Sequence, residues 1–432
     1  MLARRDLWHI YRQVLYLLGA ISLKRENMIV GLLVIGYAFQ YNPYFLSEYL
    51  WKVYWTGSGV RTAFSLSFLL TSLLLFSYGK MKLRQGAATI ILAFLATGIY
   101  GFVLGGLLNK EFQHIVADSI FWFETAAYIF LLGGISYESL LRLLRSILVY
   151  SILSGLVSVA VFWSMRDQVA VAALIGGERV VRLADLQAPL MLILLYFKPL
   201  NFSKTVVAFG TLVFTLIIFL GFFRSVWAAL ILAVLFKYFI NPRLFFQRKV
   251  MLVISFSLAF IIIFEWMYFH LTGVNSVVSG RVIAGIGTAD SLGRVSTAMR
   301  VLEQFSENLL NVLFGYGFGA MAHFVNDFGD GEIGALQPVG SLSNYYVGLV
   351  FQLGLIWCSL LLSVLFLAVK KFWRSSIIEV RDILLIFFSY VGFQWLTFPS
   401  AIHFPIAMTF GIAIALFGCP ALPGKTTTIG VN

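Results

Sequence analysis

Apolar positions along this chain come in long unbroken blocks rather than in stripes. A window of about 19 residues finds such blocks at 28–46, 62–78, 86–107, 115–134, 146–165, 183–197, 205–222, 225–240, 250–272, 344–369, 383–400 and 402–419. They give twelve candidate spans, since in hydrocarbon a helix satisfies every backbone group within one segment. The pattern therefore predicts an all-α polytopic membrane protein of about twelve spans. The block from Tyr11 to Leu23 is too short to cross and carries Arg12 and Gln13, so it reads as an interfacial helix. It is not a cleavable leader: the first long block ends in Tyr41, Asn42, Pro43 and Tyr44 rather than in a small-residue cleavage site, and the segment is expected to stay attached.

Composition agrees with the pattern. With 60% hydrophobic and 12% charged residues, 42 Phe and a mean hydropathy of +0.91, the chain has more apolar surface than a water-soluble core of this size hides. Cys358 and Cys419 lie far apart in apolar runs, so neither a disulfide framework nor a cysteine metal site is expected.

The formal charge of +12 invites a nucleic-acid reading until the basic residues are placed on the spans. With the N-terminus in the cytoplasm, 21 of the 31 Lys and Arg fall on the inner side, among them Arg84, Arg142, Arg145, Lys198, Lys204, Lys249 and Lys371. Every inner loop is then positive, as the topology rule requires, and both termini are cytoplasmic. No outer stripe of Lys and Arg is left for a nucleic acid. The expected organisation is a cytoplasmic and interfacial segment 1–27, nine spans in 28–272, an extracytoplasmic loop 273–342, three spans in 343–419 and a cytoplasmic tail 420–432.

The loop 273–342 is too long to be a simple connection. Asp290 or Ser291 can cap a helix in which Val295, Ala298, Met299, Leu302 and Phe305 recur at helical spacing. That helix is expected on the membrane surface, ending in Phe314-Gly315-Tyr316-Gly317-Phe318-Gly319. Alternating glycines permit a tight turn with exposed backbone N–H groups, although no preceding strand and no Lys-Ser/Thr makes it a nucleotide loop.

Ten basic residues stay on the outer side, and most are arginines. Arg179 and Arg182 precede the sixth span, Arg224 sits in the tight joint Phe222-Phe223-Arg224-Ser225-Val226-Trp227, and Arg281, Arg294 and Arg300 belong to the long loop. An ionisable group held at membrane depth, as Arg224 must be, is costly and commonly functional. Arginine suits a diphosphate, because its planar fork meets paired oxygens and its charge does not titrate away. Plainer roles stand beside this one: Arg300 can pair with Glu303 or Glu307 on its own helix, Arg281 can be loop charge, and Arg179 and Arg182 can snorkel to headgroups. Glu124 and Glu265, inside spans, read as protonated or paired structural acids.

Four places resemble the O-antigen ligase and polymerase superfamily, bacterial membrane glycosyltransferases that use polyprenyl-diphosphate-linked glycans. They are Arg179-Val180-Val181-Arg182-Leu183; Phe223-Arg224-Ser225-Val226-Trp227; Gly293-Arg294 with the helix and the glycine run after it; and Ser343-Asn344-Tyr345-Tyr346-Val347-Gly348-Leu349 followed by Gln352-Leu353-Gly354-Leu355-Ile356-Trp357. The stretch covered is about 176 to 360. Ser343 stands where ligases place a histidine, and a serine takes no proton at neutral pH unaided, so the resemblance tilts from ligase to polymerase.

What the resemblance implies is a GT-C-like helical enzyme of the bacterial inner membrane, working on its periplasmic face. It would transfer a growing glycan from undecaprenyl diphosphate to the non-reducing end of a second lipid-linked repeat unit. Donor and acceptor are then both lipid-linked oligosaccharides, membrane lipid surrounds the site, a chain-length regulator is a possible protein partner, and no cofactor is expected. Arg224, Arg294 and His323 are the candidate catalytic residues. Arg179, Arg182, Arg224, Arg281, Arg294 and Arg300 would bind diphosphate, and Ser343, Asn344 and Tyr345 are further site candidates. No acidic metal cluster or His/Cys ligand set is legible on the outer face, so arginine rather than a metal is assigned to the leaving group. His323, Asp327, Asp330 and Glu332 are all open as bases. The rivals are an O-antigen ligase and a lipid-linked-glycan transporter; two-halved transporters place their longest connection midway and inside, whereas here that position holds only Lys198 to Lys204.

Overall fold

The computed structural model describes residues 26–35, 37, 69–71, 87–164, 187–220, 224–240, 289–325, 333–339, 344–375, 378–394, 411–412 and 415. Within them the protein is predominantly helical. After a helical stretch Glu26–Ile35 come α1 (Ala87–Leu107), α2 (Phe112–Gly133), α3 (Tyr137–Ser164), α4 (Gln187–Leu195), α5 (Lys204–Leu220) and α6 (Arg224–Ile240). They are followed by α7 (Ala289–Ser306), α8 (Leu309–Phe314), β1 (Met321–Val325), β2 (Ile333–Pro338), α9 (Tyr345–Ser375) and α10 (Ile378–Gln394). Four helices are long and apolar enough to cross a membrane: α1, α2, Tyr137–Ala160 of α3 and Tyr345–Ala368 of α9. Of the other expected spans, 225–240 coincides with α6, a shorter apolar helix, and the rest fall wholly or partly outside the described residues.

α2 is the most enclosed of the four, with α1 packed along it. Two of its polar residues are satisfied within the helix: the Ser119 and Thr125 hydroxyls donate to the carbonyls of Ile115 (2.6 Å) and Phe121 (2.7 Å) one turn back. The turn between α1 and α2 is a helix stop with Asn109 in the left-handed region (φ 52°); Lys110 N–H returns to Gly105 O at 3.0 Å and Asn109 N–H to Gly106 O at 3.1 Å.

The far end of α2 is stitched by charge. Ser136 caps α3, accepting from Ser139 N–H at 3.3 Å. The hydroxyls of Ser136 and Ser139 donate to Glu26 Oε2 at 2.7 and 2.5 Å, while Arg142 reaches Asn27 Oδ1 (3.2 Å) and Ser139 Oγ (2.8 Å). Arg145 Nε donates to Leu200 O at 2.8 Å, which brings the Lys198–Lys204 connection to the same end. Partial burial alone would raise the Glu26 carboxyl, but the two serine hydrogen bonds and the Arg142 charge outweigh it and hold it below the ordinary glutamate value.

At the opposite end, about 33 Å away for 22 residues of helix, lie the α1–α2 turn, α7 to β2, and the start of α9. The basic residues Arg142, Arg145, Lys198 and Lys204 are thus at one end of α2 and the described part of the long loop is at the other.

That loop segment departs from expectation in two ways. The helix stops at Ser306 rather than running to Phe314, because the Asn308 side chain accepts from Leu310 N–H at 2.9 Å and starts α8 as a separate turn. Its inward face is Thr297, Val301 and Phe305, while Met299 and Leu302 are exposed. The segment is also not wholly helical. β1 and β2 pair antiparallel, Met321 opposite Pro338 and His323 opposite Leu336, with a bulge before Val325. The inner faces of α7 and the hairpin close over Phe351 of α9, forming a small second core of Val301, Phe305, Ala320, Ala322, Val339 and Phe351.

Candidate functional site

The glycine run enters the bundle. Phe318 is fully buried, its ring parallel to the Trp122 indole at 6.4 Å and against the bare Cα of Gly101. Every N–H in the run is spent on protein: Gly315 on Asn311 O (2.7 Å), Tyr316 on Phe351 O (2.9 Å), Gly317 on Gln352 O (2.9 Å), Phe318 on Gly101 O (3.0 Å) and Gly319 on Asp118 Oδ2 (2.9 Å). The expectation of exposed N–H groups is therefore overturned, and this run is no phosphate cradle.

Two of its acceptors exist because α9 breaks. Gly354 has φ +74° and ψ 166°, so the carbonyls of Phe351 and Gln352 turn from their own helix to the run. Gly317, at φ +75°, sits against the Gly105 backbone, where any Cβ would collide. Irregular backbone at this depth is tolerated because it is fully hydrogen-bonded and enclosed by protein. Nearby side chains brace the arrangement. Tyr316 stacks on Phe351 (4.4 Å, 12°), Tyr100 stacks on Trp357 (4.2 Å, 3°) and donates to Phe314 O at 2.6 Å, and Trp357 Nε1 donates to Thr97 Oγ1 at 3.1 Å.

Asp118, in the second turn of α2, is the polar centre of this junction. Its Oδ2 accepts from Gly319 N–H and, at 2.7 Å, from Gln352 Nε2. Its Oδ1 receives no hydrogen bond among the described residues, and the residue is partly exposed. His114 lies one turn back, paired at 3.2 Å with Glu111. Asp118 was missed in the sequence. The signal available was an acid near the end of an otherwise apolar block, which is the kind of position that marks function in membrane proteins.

The predicted site residues divide. Arg300 Nη1 pairs with Glu303 Oε2 at 3.0 Å on the surface of α7, the plain alternative weighed for it. Arg294 lies on the same helix, seven residues before Val301. His323 is exposed on β1; its main chain is held from both sides by Gln304, whose Nε2 donates to His323 O and whose Oε1 accepts from His323 N–H, each at 3.2 Å. Asn344 caps α9, accepting from Val347 N–H at 3.3 Å, and Tyr345 is buried edge-on to Phe121. Arg224 is the first residue of α6, and Trp227 Nε1 donates back to Ile218 O at 2.7 Å, tying α6 to α5. Residues 221–223 of the expected joint lie outside the described residues, and α6 packs on α10. Arg179, Arg182, Arg281, Ser343, Asp327, Asp330 and Glu332 lie outside the described residues.

No family model matches the chain, and no curated protein does either. The assignment below accordingly stands on the sequence reading and on this geometry. Of the four resembling places, the glycine run and the Asn344–Trp357 segment are in direct contact, through Tyr316 and Gly317 on one side and Phe351 and Gln352 on the other. Glu124, nearly two turns deeper than Asp118 on α2, is buried within the bundle.

Proposed function

We propose that this protein is a membrane glycosyltransferase of the polymerase type. It joins lipid-linked repeat units by moving a growing glycan from undecaprenyl diphosphate to the non-reducing end of the next unit, on the periplasmic face of a bacterial inner membrane. The observation that carries the reading is the interlock just described. Two segments that resemble the superfamily in sequence are bonded to each other backbone to backbone, and they fix α7, the helix of Arg294, at the end of the bundle opposite Arg142, Arg145, Lys198 and Lys204.

The chemistry required is modest. A sugar hydroxyl attacks the anomeric carbon while the lipid diphosphate departs, so the protein must hold two substrates in line and stabilise charge growing on the leaving oxygens. Arg224 and Arg294 are assigned to the leaving group, with Arg179, Arg182 and Arg281 as further diphosphate ligands. Arg300, engaged with Glu303 on the surface, is assigned no direct part.

The test is reconstitution of the full chain in proteoliposomes with undecaprenyl-diphosphate-linked repeat units. A ladder of lipid-linked polymers is the expected product. Repeat units that stay single, or that are joined only when a lipid A–core acceptor is added, would reject the polymerase reading; the second outcome would identify a ligase.

A further inference from the structure

The polymerase reading leaves the acceptor's proton without a destination, and the fold supplies one. On that reading, we infer that Asp118 is the general base that accepts the proton of the attacking sugar hydroxyl, through Oδ1. The two oxygens of this carboxylate have different duties. Oδ2 is fixed by Gly319 N–H at 2.9 Å and Gln352 Nε2 at 2.7 Å, one donor from the re-entrant run and one from α9. Those bonds immobilise the group and leave Oδ1 without a hydrogen bond among the described residues, at the loop end of the bundle.

A base held in one orientation by its other oxygen is what a positioned proton transfer needs. The other described acids and bases fit less well. His323 is exposed on the outside of the hairpin, Glu303 is taken by Arg300, Glu111 by His114, and Glu124 lies enclosed in the bundle. In the step itself the acceptor oxygen bonds to the anomeric carbon as the bond from that carbon to the diphosphate oxygen breaks. The electron pair of the broken bond leaves with the lipid diphosphate, and the hydroxyl proton passes to Asp118 Oδ1.

The discriminating variants are Asp118→Asn and Gln352→Leu, each as the full chain in proteoliposomes. An asparagine carbonyl can still accept from Gly319 and Gln352 while its amide cannot take a proton. Asp118→Asn is therefore expected to keep the thermal stability of the parent and its binding of undecaprenyl diphosphate, and to lose at least ~10²-fold in glycosyl transfer. Gln352→Leu removes one brace but leaves the carboxylate, and is expected to transfer at a rate between those of the parent and Asp118→Asn. Parent-like transfer by Asp118→Asn overturns the assignment. So does a loss in Gln352→Leu as large as that in Asp118→Asn, because the pair would then serve only to hold the run. An inactive parent removes the polymerase reading and the base with it, whereas an active parent beside an equally active Asp118→Asn removes the base alone.

Discussion

Phe318 and Gly101 meet twice: the Phe318 N–H donates to the Gly101 carbonyl at 3.0 Å, and the Phe318 ring fills the space where Gly101 has no side chain. One residue of the long loop is thereby bonded to a membrane helix by backbone and side chain together. A Cβ at Gly101 would come 2.5 Å from that ring, which the Trp122 indole backs from the other side. Gly101→Ala is therefore expected to lower stability by ~1–3 kcal/mol, read as a lower midpoint of thermal unfolding in detergent. Adding Phe318→Leu should recover part of the loss, and a double variant as weak as the sum of the singles would show that the two do not act through this contact.

Gly317 poses a harder constraint, since its neighbour is the Gly105 backbone and its φ is +75°. Gly317→Ala is expected to be more damaging than Gly101→Ala, because neither the left-handed conformation nor a backbone neighbour can yield as a side chain does. The same unfolding assay ranks the two, and a milder Gly317→Ala would contradict the docked run.

Arginine chemistry separates two residues of like charge. If Arg224 grips the leaving diphosphate, Arg224→Lys keeps the charge and loses the fork, so polymerisation should fall by at least ~10²-fold at normal protein level, ~3 kcal/mol of transition-state stabilisation. Arg300→Lys should be nearly silent, since an exposed pair with Glu303 contributes only ~0.3–0.5 kcal/mol. Glycan ladder length in a strain complemented with each variant reads both, and wild-type chains from Arg224→Lys would remove the clamp.

Sidedness has its own test. Reporter fusions after Arg84, Arg145, Lys249 and Lys371 should report from the cytoplasm and a fusion near Asp330 from outside. A cytoplasmic Asp330 would invert the whole arrangement.

Glu26 gives a pH dependence of defined sign. Its carboxyl is held below the ordinary value of 4.5, so the contribution of the Glu26–Ser136–Ser139 junction is complete above that value and is lost as pH falls through the lower, folded one. Unfolding midpoints of the parent should drop more steeply on acidification below pH 4.5 than those of Glu26→Gln. Parallel curves would show that the junction adds no pH-linked stability.

The helical membrane architecture was legible because long apolar blocks have one structural solution in lipid, and the blocks at 86–107, 115–134 and 344–369 coincide with α1, α2 and α9. The start of α6 at Arg224 was equally plain, since an apolar block begins directly after it. The strands were not. Met321–Val325 and Ile333–Pro338 are short, and their pairing depends on α7 and α9 covering one face, which no local alternation announces. The role of the glycine run was half legible: the spacing promised irregular backbone, but where its N–H groups went depended on acceptors about 35 and 215 residues away, at Phe351, Gln352 and Gly101. Asp118 was passed over for the same reason, as its partners lie 201 and 234 positions along the chain.

The break at Gly354 also sets an order of assembly. Ribosomes deliver the chain from the N-terminus, so Gly101 and Asp118 are in place long before the glycine run is made, but the carbonyls of Phe351 and Gln352 arrive after it. Until they do, Tyr316 and Gly317 have no backbone acceptor, and until the run is seated the carbonyls of Phe351 and Gln352 lack the N–H groups they receive from it. Neither segment can therefore be completed alone. The helix from Tyr345 must settle against a run already made, so its folding is completed only on contact with a segment that precedes it in the chain.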